Sequence, residues 1–137
     1  MNVILDTNVI ISGIFFSGPP FQILTAWRDG RIRLVLSKEI LNEYVQVADK
    51  ISKKYNELKI DKILELITIH SEMIIPSDMN IDVCRDDSDI KFLSCAISSN
   101  TKVIVSGDRH LLELNGYSDI EIISPKKYVE KSIVKIN

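Results

Sequence analysis

The sequence predicts an α/β fold, with parallel strands and helices on both faces of the sheet. The observation that carries this reading is the alternation of short β-branched runs with longer segments of helical period. Residues 2–6 (Asn-Val-Ile-Leu-Asp) read as the first strand, with a helix from Asn8. Ser17-Gly18-Pro19-Pro20 breaks the chain and starts a second helix running to Asp29-Gly30, where glycine suits the cap. Residues 32–36 make the second strand, and Ser37 is placed to cap a helix with Ile40, Leu41, Tyr44, Val45 and Ala48 on one face.

A Lys-rich bend is expected at 50–59, then an amphipathic helix over 60–72 with Ile60, Ile63, Leu64 and Ile67 inward. Residues 73–76 read as a short strand or an extended stretch. The acidic turn Arg85-Asp86-Asp87-Ser88-Asp89 opens a helix in which Phe92, Leu93, Ala96 and Ile97 repeat at helical spacing. Residues 102–106 form the fourth strand, Asp108 opens a short helix through Leu114, residues 120–123 form the fifth strand, and Pro125 starts a terminal helix. There is no internal repeat or linker, and the 137 residues read as one domain.

Composition narrows the function classes. A hydrophobic content of 45% excludes a disordered tail or a collagen-like repeat. The net charge of −2 lacks the basic surplus usual where phosphate contacts dominate, although an acidic cluster lowers total charge without forbidding a basic rim around it. Asp6 interrupts the apolar opening and no Lys or Arg precedes it, so that segment reads as structure rather than a secretory signal. Cys84 and Cys95 are too few and too widely spaced for a disulfide framework or a zinc site, and Cys95 reads as a small buried residue. A cytoplasmic protein with no membrane association is the expectation.

Position distinguishes four acids. Asp6 ends the first strand and Asp108 lies just beyond the fourth, so in a parallel sheet both reach the carboxyl edge, where open α/β folds bind ligands. Asp89 begins a helix opening on that edge, and Glu43 lies one to two turns into the helix after the second strand. Each also has a structural reading: Asp6, Asp89 and Asp108 suit helix caps, and Glu43, with Glu39 as an equal rival, suits a solvated helix face. Their shared edge makes the joint case. Gathering carboxylates costs repulsion that a hard cation relieves, and oxygen donors without clustered His or Cys suit Mg²⁺ or Mn²⁺ rather than zinc. Such an ion polarises a phosphoryl oxygen, lowers the pKa of a bound water and stabilises a leaving alkoxide.

At these residues the chain resembles the PIN-domain ribonucleases, in particular the VapC-like branch of toxin components of toxin–antitoxin pairs. The resemblance runs nearly end to end. Val3-Ile4-Leu5-Asp6-Thr7-Asn8-Val9 resembles the family's opening strand, and Gly30-Arg31-Ile32-Arg33-Leu34-Val35-Leu36-Ser37 with Glu43-Tyr44 resembles the strand and helix presenting its glutamate. Cys84-Arg85-Asp86-Asp87-Ser88-Asp89 with Lys91-Phe92-Leu93 and Ala96 resembles the third motif, and Val105-Ser106-Gly107-Asp108-Arg109-His110-Leu111-Leu112 the fourth. The third motif departs from Asp-Pro-Asp-Asp, since Asp87 and Ser88 replace Pro-Asp, which leaves Asp86 as a helper or a cap.

The resemblance implies a three-layer domain with a central parallel five-stranded sheet flanked by helices. It selects Glu43 over Glu39 and implies that Asp6, Glu43, Asp89 and Asp108 hold one or two Mg²⁺ or Mn²⁺ ions for hydrolysis of RNA, leaving 5′-phosphates. Thr7, Asn8, Ser106 and Asp86 would orient the ligands, and Arg85, Lys91 and Arg109 would contact the phosphate backbone. An antitoxin encoded nearby and a homodimer are the implied protein partners, with Ile14, Phe15 and Phe16 as interface or core. RNA rather than DNA rests on the resemblance alone. The alternatives are a catalytically inactive PIN-fold RNA-binding module and a haloacid-dehalogenase-type phosphatase; the latter needs a second Asp where Asn8 stands. A receiver-like domain lacks its phosphoacceptor Asp and following Lys. His110 could reach substrate, and His70 reads as structural.

Overall fold

A computed structural model describes residues 1–55, 59–77 and 87–134. Five parallel strands form one sheet: β1 (Asn2–Leu5), β2 (Arg33–Ser37), β3 (Glu72–Ile74), β4 (Val103–Val105) and β5 (Glu121–Ile123), in the order β3-β2-β1-β4-β5. The helices are α1 (Thr7–Phe15), α2 (Pro19–Arg28), α3 (Lys38–Tyr55), α4 (Lys59–His70), α5 (Asp87–Ser99), α6 (Arg109–Leu112) and α7 (Pro125–Tyr128). The α/β architecture expected from the alternating pattern is therefore present. Among the described residues, no single helix is long and apolar enough to cross a membrane.

The order of the sheet locates its crevice. From β1 the chain moves outward through β2 and β3, then returns to the other side of β1 for β4 and β5. The reversal falls between β1 and β4, whose register pairs Ile4 with Ile104 and Leu5 with Val105. Ligands of open parallel sheets bind beyond the carboxyl ends of strands at such a reversal. Val3, Ile4 and Leu5 are all buried, although their side chains alternate between faces, so both faces of β1 are covered.

The helices follow local rules, with some departures from expectation. Gly30 takes φ +79° just past α2, a left-handed conformation that glycine adopts without a Cβ clash. The Ser37 hydroxyl accepts from Ile40 N–H at 3.3 Å and so caps α3. Its stripe Ile40, Tyr44 and Ala48 is buried, but Leu41 is half-buried and Val45 is exposed, lying a residue further around the helix. The bend expected at 50–59 is absent from 50–55, where α3 runs on to Tyr55, and residues 56–58 lie outside the described residues. Lys50, Lys53 and Lys54 are good helix formers, no Gly or Pro intervenes, and Asp49 and Lys53 pair at 3.4 Å one turn apart. After α7 the terminal helix widens to a π-turn over Val129–Ile133, closed by Val134 N–H on the Val129 carbonyl at 2.8 Å. In α4, Ile60, Leu64 and Ile67 are buried and Ile63 packs against the core; in α5, Phe92, Leu93, Cys95 and Ala96 are buried.

Helices α1 and α2 approach closely at Gly13, where an added Cβ would lie 2.6 Å from Leu24 Cδ1 and 2.8 Å from the Pro20 carbonyl oxygen. The backbone oxygen cannot swing aside. Alanine in a helix interior gains about 1 kcal/mol over glycine, whereas overpacking costs about 1–3 kcal/mol. Gly13→Ala is therefore expected to lower the unfolding free energy by up to about 2 kcal/mol. Urea denaturation at constant m-value checks this, and a more stable variant would show that the helix pair separates without cost.

Candidate functional site

Asp6 stands immediately after β1, and its backbone N–H continues the sheet by donating to the Val105 carbonyl at 2.9 Å. It occupies the N-cap position of α1, yet its carboxylate makes no capping bond. Instead, Oδ2 accepts from the Ser106 hydroxyl at 2.7 Å, while α1 begins on the Asp6 main-chain carbonyl. Ser106 follows β4 and is fully buried. Its Oγ also accepts the Asp108 N–H at 2.9 Å, so one hydroxyl joins the ends of β1 and β4. Asp108 caps α6 through Oδ1, which accepts His110 N–H at 3.0 Å. The capping reading thus holds for one oxygen of Asp108 and fails for the side chain of Asp6.

Glu43 joins this edge from α3. The Thr7 hydroxyl donates to its Oε2, and the Lys91 ammonium from α5 donates to Oε1 at 2.7 Å. Next to it, the buried Tyr44 hydroxyl donates to the Leu5 carbonyl, one residue before Asp6. Sequence reasoning treated Tyr44 as an apolar core residue. The signal available was that a phenol in a core needs a partner for its O–H. Glu39 is exposed.

The electrostatics show which acids act on one another. Burial raises the Asp6 pKa above its usual value; Asp108 and Glu43 push it further up, while Ser106 and the Thr7 N–H pull it down. Asp89 lies buried near the start of α5, two residues before Lys91. Asn8 is exposed on α1, His110 is exposed, and Arg109 is largely exposed and pairs with Glu113 at 3.5 Å. Arg85 and Asp86 lie outside the described residues. His70 ends α4, exposed, at the wall of a cavity of about 580 Å³ lined also by Asn2 and Arg33, at the amino ends of β1 and β2.

Oxygen donors dominate the crevice, which suits a hard divalent cation. Among the described residues, no three carboxylate, imidazole or thiol groups are placed to hold one ion together. Magnesium does not need such a cage, because it keeps several waters and takes one or two carboxylates. Asp108 Oδ2 is outside the bonds described above, while Asp6 shares its carboxylate between the Ser106 hydroxyl and the Thr7 N–H.

Comparisons with known proteins bear on the family and the fold. A family model described as PIN domain matches residues 2–110, a span containing all four acids. An uncharacterised protein of Methanocaldococcus jannaschii is 34% identical over 143 residues, covering 96% of this chain and 91% of its own length. By fold, the chain is similar to one in the crystal structure of VapBC2 from Rickettsia felis bound to a DNA fragment from their promoter. The TM-score is 0.61 at 16% identity, over 90% of this chain and 98% of that one.

The raised Asp6 pKa has a consequence for stability. A carboxyl whose folded pKa exceeds its unfolded value contributes stability that is present at low pH and lost as pH rises through the folded value. Asp6→Asn removes that loss and can keep the Ser106 bond through its amide oxygen. In EDTA the variant should melt above the wild type at pH 7, with the gain vanishing below about pH 3.8, the ordinary value for Asp. A difference in Tm that stays constant with pH would show that Asp6 is not desolvated.

Proposed function

Given that the chain belongs to the PIN-domain family, we propose that it is a divalent-metal-dependent endoribonuclease, the VapC-like toxin component of a toxin–antitoxin pair. The observation that carries this reading is the Ser106 hydroxyl holding Asp6 and Asp108 together at the sheet reversal, with Glu43 close enough to act on Asp6. Repelling carboxylates arranged around a polar crevice are a cost to folding that a cation-dependent reaction would justify.

Asp6 and Asp108 would hold Mg²⁺ or Mn²⁺, with Asp89 and Glu43 completing its surroundings directly or through water. The ion, when bound, supplies positive charge to the phosphoryl oxygens, makes water more acidic and stabilises the leaving 3′-oxygen. The protein's own contributions are positional. Ser106 fixes the orientation of Asp6, and Thr7 fixes that of Glu43. Arg109, His110 and the exposed Lys126 and Lys127 follow β4 and β5 at the same carboxyl edge, where a phosphate backbone would need cations. An antitoxin and a second copy of the chain are the protein partners of this reading. Phe16 and Phe21 leave exposed aromatic surface beside a groove of about 410 Å³ between α1, α2 and α4. The rival reading is a PIN-fold module that binds RNA without cutting it.

Incubating a panel of single-stranded RNAs and DNAs with Mn²⁺ or Mg²⁺, beside EDTA and Asp6→Asn controls, decides between them. Metal-dependent RNA cutting is expected, falling by at least about 100-fold in the variant. RNA binding by gel shift with no cutting on any substrate would support the binding module, and cutting that survives Asp6→Asn would overturn the site.

A further inference from the structure

Among the described residues, one cation of the protein itself pairs directly with an acid of the crevice. Lys91 reaches from the first turns of α5 to Glu43 on α3, with its ammonium 2.7 Å from Oε1 and the two side chains only 20% and 27% exposed. Thr7, the residue after Asp6, takes the other oxygen of the same carboxylate. Glu43 therefore has a donor from its own chain on each oxygen, the Lys91 one carrying a full positive charge, whereas the donors to the other two acids are neutral: Ser106 and the Thr7 N–H for Asp6, and the His110 N–H for Asp108. An exposed Lys–Glu pair would be a minor surface contact. This pair is neither exposed nor remote, since Glu43 acts electrostatically on Asp6.

We propose that Lys91 is a positioning residue that occupies Glu43 as an internal counter-ion, so that a divalent cation is held chiefly by Asp6 and Asp108 and gains Glu43 only by displacing the ammonium. The inference rests on the metal-dependent reading of the site. It assigns Lys91 to a carboxylate of the protein rather than to the phosphate backbone of a substrate. Two physical effects point the same way. Lys91 competes for Oε1 itself, and its positive charge, fixed beside the acids, repels an arriving cation. Removing it should therefore tighten metal binding, the opposite of what loss of a merely structural salt bridge would do.

The test is Mn²⁺ binding to the metal-free full-length protein, measured by calorimetry without nucleic acid, so that turnover plays no part. Lys91→Met should bind Mn²⁺ at least about tenfold more tightly than wild type, and Lys91→Gln, which keeps a polar end should the apolar variant fold poorly, should shift the same way. Lys91→Arg keeps the pair and should stay within about threefold of wild type. Glu43→Gln alone should change affinity by less than about threefold, while Glu43→Gln added to Lys91→Met should shrink the gain to the part due to lost charge repulsion, a coupling that shared contact explains. Equal or weaker binding by both Lys91→Met and Lys91→Gln would overturn the inference while leaving the metal site intact. So would a Glu43→Gln loss as large as that of Asp6→Asn. Mn²⁺ binding by none of the proteins would overturn the metal-dependent reading and this inference with it.

Discussion

A single buried hydroxyl holds the working edge of this molecule together. Ser106 Oγ gives its proton to Asp6 and receives the N–H of Asp108, so the residues following two adjacent parallel strands share one atom. A buried hydroxyl without partners is costly, and here donor and acceptor roles are both used. Because β1 and β4 are neighbours only through the reversal of strand order, the bond spans 100 residues of sequence. The Asp6 side chain makes no capping bond, and α1 starts instead from the Asp6 main-chain carbonyl. That leaves a carboxylate available for chemistry at a position where a cap would have consumed it.

The opposing force is repulsion between like charges in a partly dry crevice. Burial, Asp108 and Glu43 all disfavour the ionised form of Asp6. The fold offsets this with local donors: Ser106 and the Thr7 N–H for Asp6, the Thr7 hydroxyl and Lys91 for Glu43, and the His110 N–H for Asp108. Tyr44 contributes by fastening α3, which carries Glu43, to the β1 main chain one residue before Asp6. Thr7, Tyr44 and Lys91 come from three helices, so the site depends on how α1, α3 and α5 pack rather than on any one loop.

Much of this was legible from local pattern. Apolar runs of β-branched residues marked the strands because strands covered on both faces need no polar alternation. Ser37 and Gly30 marked helix ends for reasons confined to a few residues of backbone. The extent of α3 was less legible, since lysines suit both a solvated bend and a helix, and a one-turn Asp49–Lys53 pair favours the helix. Val45 was misplaced for a related reason: apolar character at position 45 does not say which part of a broad face the neighbouring elements cover.

The sequence by itself determined the α/β class and the placement of Asp6 and Asp108 just past strand ends, because strand direction and the residues following a strand are local properties. Tertiary structure alone decided which oxygens are engaged and by whom. Ser106 meets Asp6 across 100 positions, Tyr44 meets Leu5 across 39 and Lys91 meets Glu43 across 48. Hydrogen bonds have a reach of about 3 Å, so these partnerships follow from strand order and helix packing, which a linear pattern does not encode.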